Sequence, residues 1–168
     1  MDAGLLVARV VFGVLMAAHG SQKLFGWLGG YGIAGTGGFF ESLGFKPGRL
    51  FALAAGLAEF GGGVLLALGL LQPVAAALIV SVMVVAAVTV HWQGGLFAMT
   101  NGVEVPLLYA AAGAALGLTG PGAYSVDAAL GLTQLWTPAV TLTLLALGFV
   151  GGLANVALRR PTADVAHA

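Results

Sequence analysis

Five apolar runs of helical length, joined by short glycine-rich connections, leave this chain few ways to fold. They are Gly4–Phe25, Arg49–Leu70, Pro73–Trp92, Val105–Thr119 and Leu135–Leu158. At about 1.5 Å per residue, about 20 residues cross the roughly 30 Å hydrocarbon core of a bilayer. The fourth run is short; it either borrows Asn101–Glu104 or sits where the bilayer thins. Charged residues make up 7% of the chain and hydrophobic ones 60%. A soluble domain needs about a quarter of its residues charged, so most of this surface faces lipid. The expected class is all-α, a polytopic transmembrane helical bundle.

The same composition excludes other classes. Net charge is +0 and no basic stripe is present, which argues against nucleic acid. There are no cysteines, so thiol exchange, thiolate metal sites and covalent c-type haem attachment within the chain are ruled out. Met1-Asp2-Ala3-Gly4 lacks a basic leader region, so the first run reads as a retained helix.

Connections carry turn chemistry. Gly26–Gly38 is read as a glycine-rich loop, followed by an aromatic, amphipathic Phe39–Phe45 segment suited to the interface. Gln72-Pro73 makes the turn between spans two and three, while Pro121 and Pro138 mark later boundaries. Lys23, Lys46 and Arg49 flank the first connection, and Arg159 and Arg160 follow the last span. With five spans these groups share one side, so the positive-inside rule places the N-terminus outside and the C-terminus in the cytoplasm. The same topology lets His91 and Glu104 approach His19 and Lys23, and puts Asp127 on the far side.

Ionisable residues inside such spans are expensive, so each needs a partner, a proton or a task. Glu59 lies in the middle of the second run. It reads as a partner for Arg9 or His19, as a neutral acid bonded to a neighbouring helix, or as part of a ligand or proton site. On the first run Arg9, Met16, His19 and Lys23 fall within about 80° of one face, which should turn inward, with Gln22 on its shoulder. Snorkelling of Lys23 and Arg9 to the headgroups is the simpler alternative. His91 precedes Trp92 at a span end, where an interfacial pair is equally reasonable. Glu104 sits where a helix N-terminus favours an anion, and Tyr109 can turn inward. The candidate ligand-binding or proton-handling cluster is therefore Arg9, His19, Gln22, Lys23, Glu59, His91 and Glu104. No His-x-x-Glu-His or Glu-x-x-His spacing points to a metal.

These residues stand in an ordered set: His19-Gly20-Ser21-Gln22-Lys23-Leu24-Phe25-Gly26, Gly35-Thr36-Gly37-Gly38-Phe39-Phe40, Glu59-Phe60-Gly61-Gly62-Gly63, His91-Trp92, Asn101-Gly102-Val103-Glu104-Val105-Pro106 and Gly120-Pro121-Gly122-Ala123-Tyr124-Ser125-Val126-Asp127. In this set the chain resembles the DoxX family of small prokaryotic membrane proteins. The resemblance implies a four-helix inner-membrane core at residues 1–130. It leaves 131–158 as an additional C-terminal transmembrane helix and 159–168 as a polar cytoplasmic tail. It also implies a quinone-linked or redox-associated role, since the family name derives from a subunit of a thiosulfate:quinone oxidoreductase. Quinone is then the candidate cofactor, with a redox protein as electron donor, lipids as surroundings and a homo-oligomer possible. A small-solute or proton transporter and a non-catalytic membrane scaffold are the competing readings.

Overall fold

The computed structural model describes residues 1–160; most of the expected polar tail at 159–168 lies outside the described residues. Seven α-helices and no strand are found among them. The long helices are α1 (Asp2–Phe25), α3 (Gly48–Leu68), α4 (Gln72–Ala86) and α7 (Pro138–Ala157), with the shorter α5 (Glu104–Thr119). Two small helices, α2 (Gly32–Ser42) and α6 (Val126–Ala129), lie in the connections. Helix α4 widens into a π-helical turn at Ala87–His91, and as a continuous rod it runs Gln72–Gly94.

Four of these rods are long and apolar enough to cross a membrane, and α5, with 16 residues, is shorter. Its length of about 24 Å falls short of the hydrocarbon core, as the short fourth run suggested. It nevertheless connects the two ends of the bundle. Its start is tied to the Gly95–Leu96 loop through the Glu104 amide, and its end receives the Gln72 side chain at Leu116 and Gly120. Outward faces of α7 carry Leu142, Leu147, Val150 and Leu153, which matches a lipid-facing surface. The chain is a polytopic helical bundle.

Close backbone approach holds α1 against α3. A Cβ on Gly20 would lie 2.3 Å from the Phe60 amide nitrogen, and one on Gly63 would lie 2.4 Å from that of Ala17. Lipid tails give no hydrophobic drive for helices to associate, so such small-residue contacts supply the packing. Helix α4 lies beside α3, with α5 and α7 packed on it.

The glycine-rich segment departs from expectation. Gly32–Gly38 is not loop but the first two turns of α2. The propensity loss of several glycines is offset by burial: Gly37 lies against Arg49, and Gly48 against Gly37 and Glu41, so side chains there would hold α2 off α3. Nor is Phe39–Phe45 wholly interfacial. Phe40 and Phe45 are buried with Ala52, while Phe39, Glu41 and Ser42 are exposed.

At the end where α1 begins, a polar clamp fastens three connections. Asp127 is 0% exposed and accepts from the Leu71 amide (2.8 Å), the Gln72 amide (3.1 Å) and Trp136 Nε1 (2.9 Å). It thus places an anion at the start of α4, where the helix dipole favours one. Arg9, also buried, donates to the carbonyls of Pro121 and Tyr124. At the opposite, basic end, Arg159 Nε donates to the Leu43 carbonyl (2.8 Å), and the Arg160 amide to Gly44 (2.8 Å). The last helix therefore ends at the same end of the bundle as the Leu43–Gly44 connection that precedes Lys46 and Arg49.

Candidate functional site

Lys23 and Glu59 form a salt bridge inside the basic half of the bundle. Glu59 is 3% exposed and Lys23 26%. Lys23 comes from the last turn of α1, where a cation suits the helix dipole. Glu59 comes from the middle of α3, flanked by the buried Gly56 and Gly62, which let neighbouring helices close around it. Gly56 in turn accommodates Leu24 and Lys23.

The pair opens onto a cavity of about 260 Å³ bounded by α2, α3, α4 and α7. Phe39, Phe40, Phe45 and Phe51 form its aromatic side. Among its polar lining groups are Thr36, Ser81, Thr89, His91 and Asn155. The His91 Nδ1 lies 2.9 Å from the Asn101 carbonyl, so Nδ1 carries a proton and donates it to that oxygen. Thr89 donates back to the Val85 carbonyl (2.8 Å) within the π-helical turn. Turns of this kind recur at functional sites because they displace side chains from regular helical register.

Three of the seven sequence candidates, Lys23, Glu59 and His91, meet at this cavity. The other four do not line it. Arg9 lies about 21 Å from Lys23 along α1 and belongs to the clamp at the other end. Gln22 donates to the Leu28 carbonyl (3.1 Å) and secures the short turn after α1. Glu104 accepts from the Ala98 amide (2.7 Å), bracing the loop ahead of α5. His19 is exposed, its ring set edge-on against Tyr109 at 5.9 Å. The expectation that the whole α1 stripe turns inward is therefore corrected. The buried face is fixed by Gly13, Met16 and Gly20, and His19 lies about 100° from Gly20, beyond its edge. Glu59 pairs with Lys23 and not with Arg9 or His19.

Sequence reasoning missed Thr36, Ser81 and Asn155. A hydroxyl within an apolar run carries little pattern, and Asn155 lies on a last span that held no motif. A lone amide in a lipid-embedded helix is the one signal that could have marked it.

Chemically, the site joins an aromatic slot to an ion pair whose carboxylate is buried and whose ammonium is a quarter exposed. Such a slot accepts a flat ring, and the pair offers a hydrogen-bond donor and a proton store at one edge. Among the described residues no group of three or more His, Cys, Asp or Glu is placed to hold a metal ion.

The DoxX family profile matches residues 4–92, which supply most of the cavity wall. The inner membrane protein YqjF of Escherichia coli (strain K12) is 32% identical over 131 residues, covering 75% of this chain and 91% of its own length. No solved structure matches the chain.

Proposed function

The chain belongs to the DoxX family of membrane proteins, and we propose that it binds the ring of a quinone against Lys23 and Glu59 as a component of a membrane oxidoreductase system. One observation carries this reading: a buried ion pair in the wall of an otherwise largely apolar cavity of about 260 Å³. Apolar cavities of about 150 Å³ admit benzene, so a substituted six-membered ring fits this one. Pockets that bind small molecules are mostly apolar with a few placed polar groups, which is the composition here. The relative named as an inner membrane protein, and the basic residues gathered at one end, support a bacterial inner-membrane location with the basic end cytoplasmic.

A bound quinone supplies a two-electron, two-proton couple, with the electrons delivered by a partner redox protein. The chain's own part is to hold the ring and handle protons. Lys23 Nζ is placed to donate a hydrogen bond to a ring oxygen, with Glu59 fixing its position. Giving up a proton from Lys23 leaves Glu59 as an unpaired buried anion. That arrangement is costly, so the site is driven to take another proton. A transporter reading has less support, because α2 and the π-helical turn have no counterparts that would divide the chain into matched halves.

Titration of purified protein with a short-chain benzoquinone tests the proposal. Binding should weaken at least about tenfold in Lys23→Ala and Glu59→Gln, the scale of a lost charged hydrogen bond. His19→Ala, which alters an exposed position, should leave it unchanged. Equal binding by all four proteins would remove the assignment.

A further inference from the structure

From two further polar groups in the cavity wall, Ser81 and Asn155, we infer a second polar pole, which selects rings carrying oxygen at two opposed positions. This deepens the ring-binding reading and rests on it. Ser81 and Asn155 both line the cavity, from α4 and α7. A Cβ placed on Gly151 would lie 3.8 Å from Ser81 Oγ, and Asn155 follows Gly151 by four residues, on the same face of α7. Asn155 therefore lies about one helical turn beyond Ser81 in the wall of the same cavity.

Their depth matches that of the ion pair. Gly62 of α3 abuts Leu78 of α4, whose Cβ would lie 3.3 Å from a Cβ on Gly62. Glu59 lies three residues from Gly62 toward the basic end, and Ser81 lies three residues from Leu78 in the same direction, because α3 and α4 are antiparallel. Glu59 and Ser81 thus stand level on two different walls.

These groups are also uncommitted. Among the described residues, neither the Ser81 hydroxyl nor the Asn155 carboxamide makes a hydrogen bond to protein, whereas the Thr89 hydroxyl and His91 Nδ1 are already engaged. A carboxamide on an apolar helix is costly without a partner. A ligand oxygen at this edge supplies one, while the opposite oxygen meets Lys23. The ligand class is a ring with two opposed oxygens, and α7 becomes the wall that reads the second.

Equilibrium binding of trimethylhydroquinone, kept reduced without oxygen, is compared with binding of a trimethylphenol of similar bulk. Wild type should favour the two-oxygen ring by about fivefold or more, the worth of one added hydrogen bond. In Asn155→Ala and in Ser81→Ala that ratio should fall toward one, with phenol affinity changed less than about twofold. Two variants on different helices, each checked by gel filtration and melting temperature, separate loss of the pole from loss of the fold. A wild-type ratio near one, or a ratio retained in both variants, overturns the second pole and leaves the first standing. Failure of wild type to bind either ring overturns the ring-binding reading and this inference together.

Discussion

Lys23 reaches across 36 positions of sequence to Glu59 and, with it, forms a salt bridge between α1 and α3. The two ends of this bridge are unequal, since the carboxylate is buried and the ammonium is a quarter exposed. Removing the lysine leaves a charge that cannot reach water. Removing both leaves nothing to compensate. Lys23→Met should therefore destabilise the protein by roughly 1–3 kcal/mol, below the full cost of breaking a buried pair because Lys23 is partly solvated. The double variant Lys23→Met/Glu59→Leu should recover most of that loss. Thermal unfolding in one detergent, read as a double-mutant cycle, checks it. Additive losses would show that the pair is not coupled.

The α1–α3 contact makes a sharper demand on side-chain size. A methyl group at Gly20 or Gly63 would meet backbone at 2.3 Å and 2.4 Å, and backbone cannot swing away as a side-chain tip can. Gly20→Ala and Gly63→Ala should each cost about 1–3 kcal/mol through overpacking, seen as lower melting temperature and yield. Gly61 has nothing within 4 Å of a built Cβ. Gly61→Ala should be neutral or slightly stabilising, since alanine loses less entropy in a helix.

Why some of this was legible and some not comes down to which physical signal each residue leaves. Apolar runs mark helices directly, and the five long helical rods fall close to the expected bounds, within about three residues at each end. The rod of α4 ends at Gly94, two residues past the expected Trp92, but nothing in Val88-Thr89-Val90-His91 announces its π-helical turn. Helix α2 escaped because glycines predict a loop when read locally, and only the tertiary approach to α3 reverses that preference. In the site, Glu59 and Lys23 were visible as charges out of place. Their pairing was not, because the hydrophobic period of α1 leaves the angle of its inward face open by enough to exchange His19 for Lys23. Asn155 shows a further limit: its meaning depends on Ser81, which a single helix does not reveal.

The clamp at the other end of the bundle separates stability from binding. Asp127 accepts three hydrogen bonds while fully buried. Its loss also removes the negative charge at the start of α4. Asp127→Ala should cost roughly 2–4 kcal/mol, the scale for unmaking buried charged hydrogen bonds. Trp136→Phe removes only one of the three bonds and should cost about 1 kcal/mol. Because the clamp lies at the far end of α4 from His91, neither change should alter ring affinity in protein that remains folded, as binding titrations below the melting temperature would show. A proportional loss of affinity would tie the two ends together.

The orientation proposed from the shared end of the basic residues can be measured without altering the native background, because the chain has no cysteine to remove. Met99 lies in the exposed loop at the basic end, and Leu130 is exposed near the clamp. With the basic end cytoplasmic, a Met99→Cys variant in intact cells should resist a membrane-impermeant maleimide and react once the cells are opened. Leu130→Cys should react in intact cells. The reverse pattern would invert the topology. Labelling of both positions from one side would mean that α5, the longer helix between them, does not cross. The assay thus tests the short α5 as a true crossing: at about 24 Å it needs local thinning of the bilayer or shelter by α4 and α7, and it packs against both.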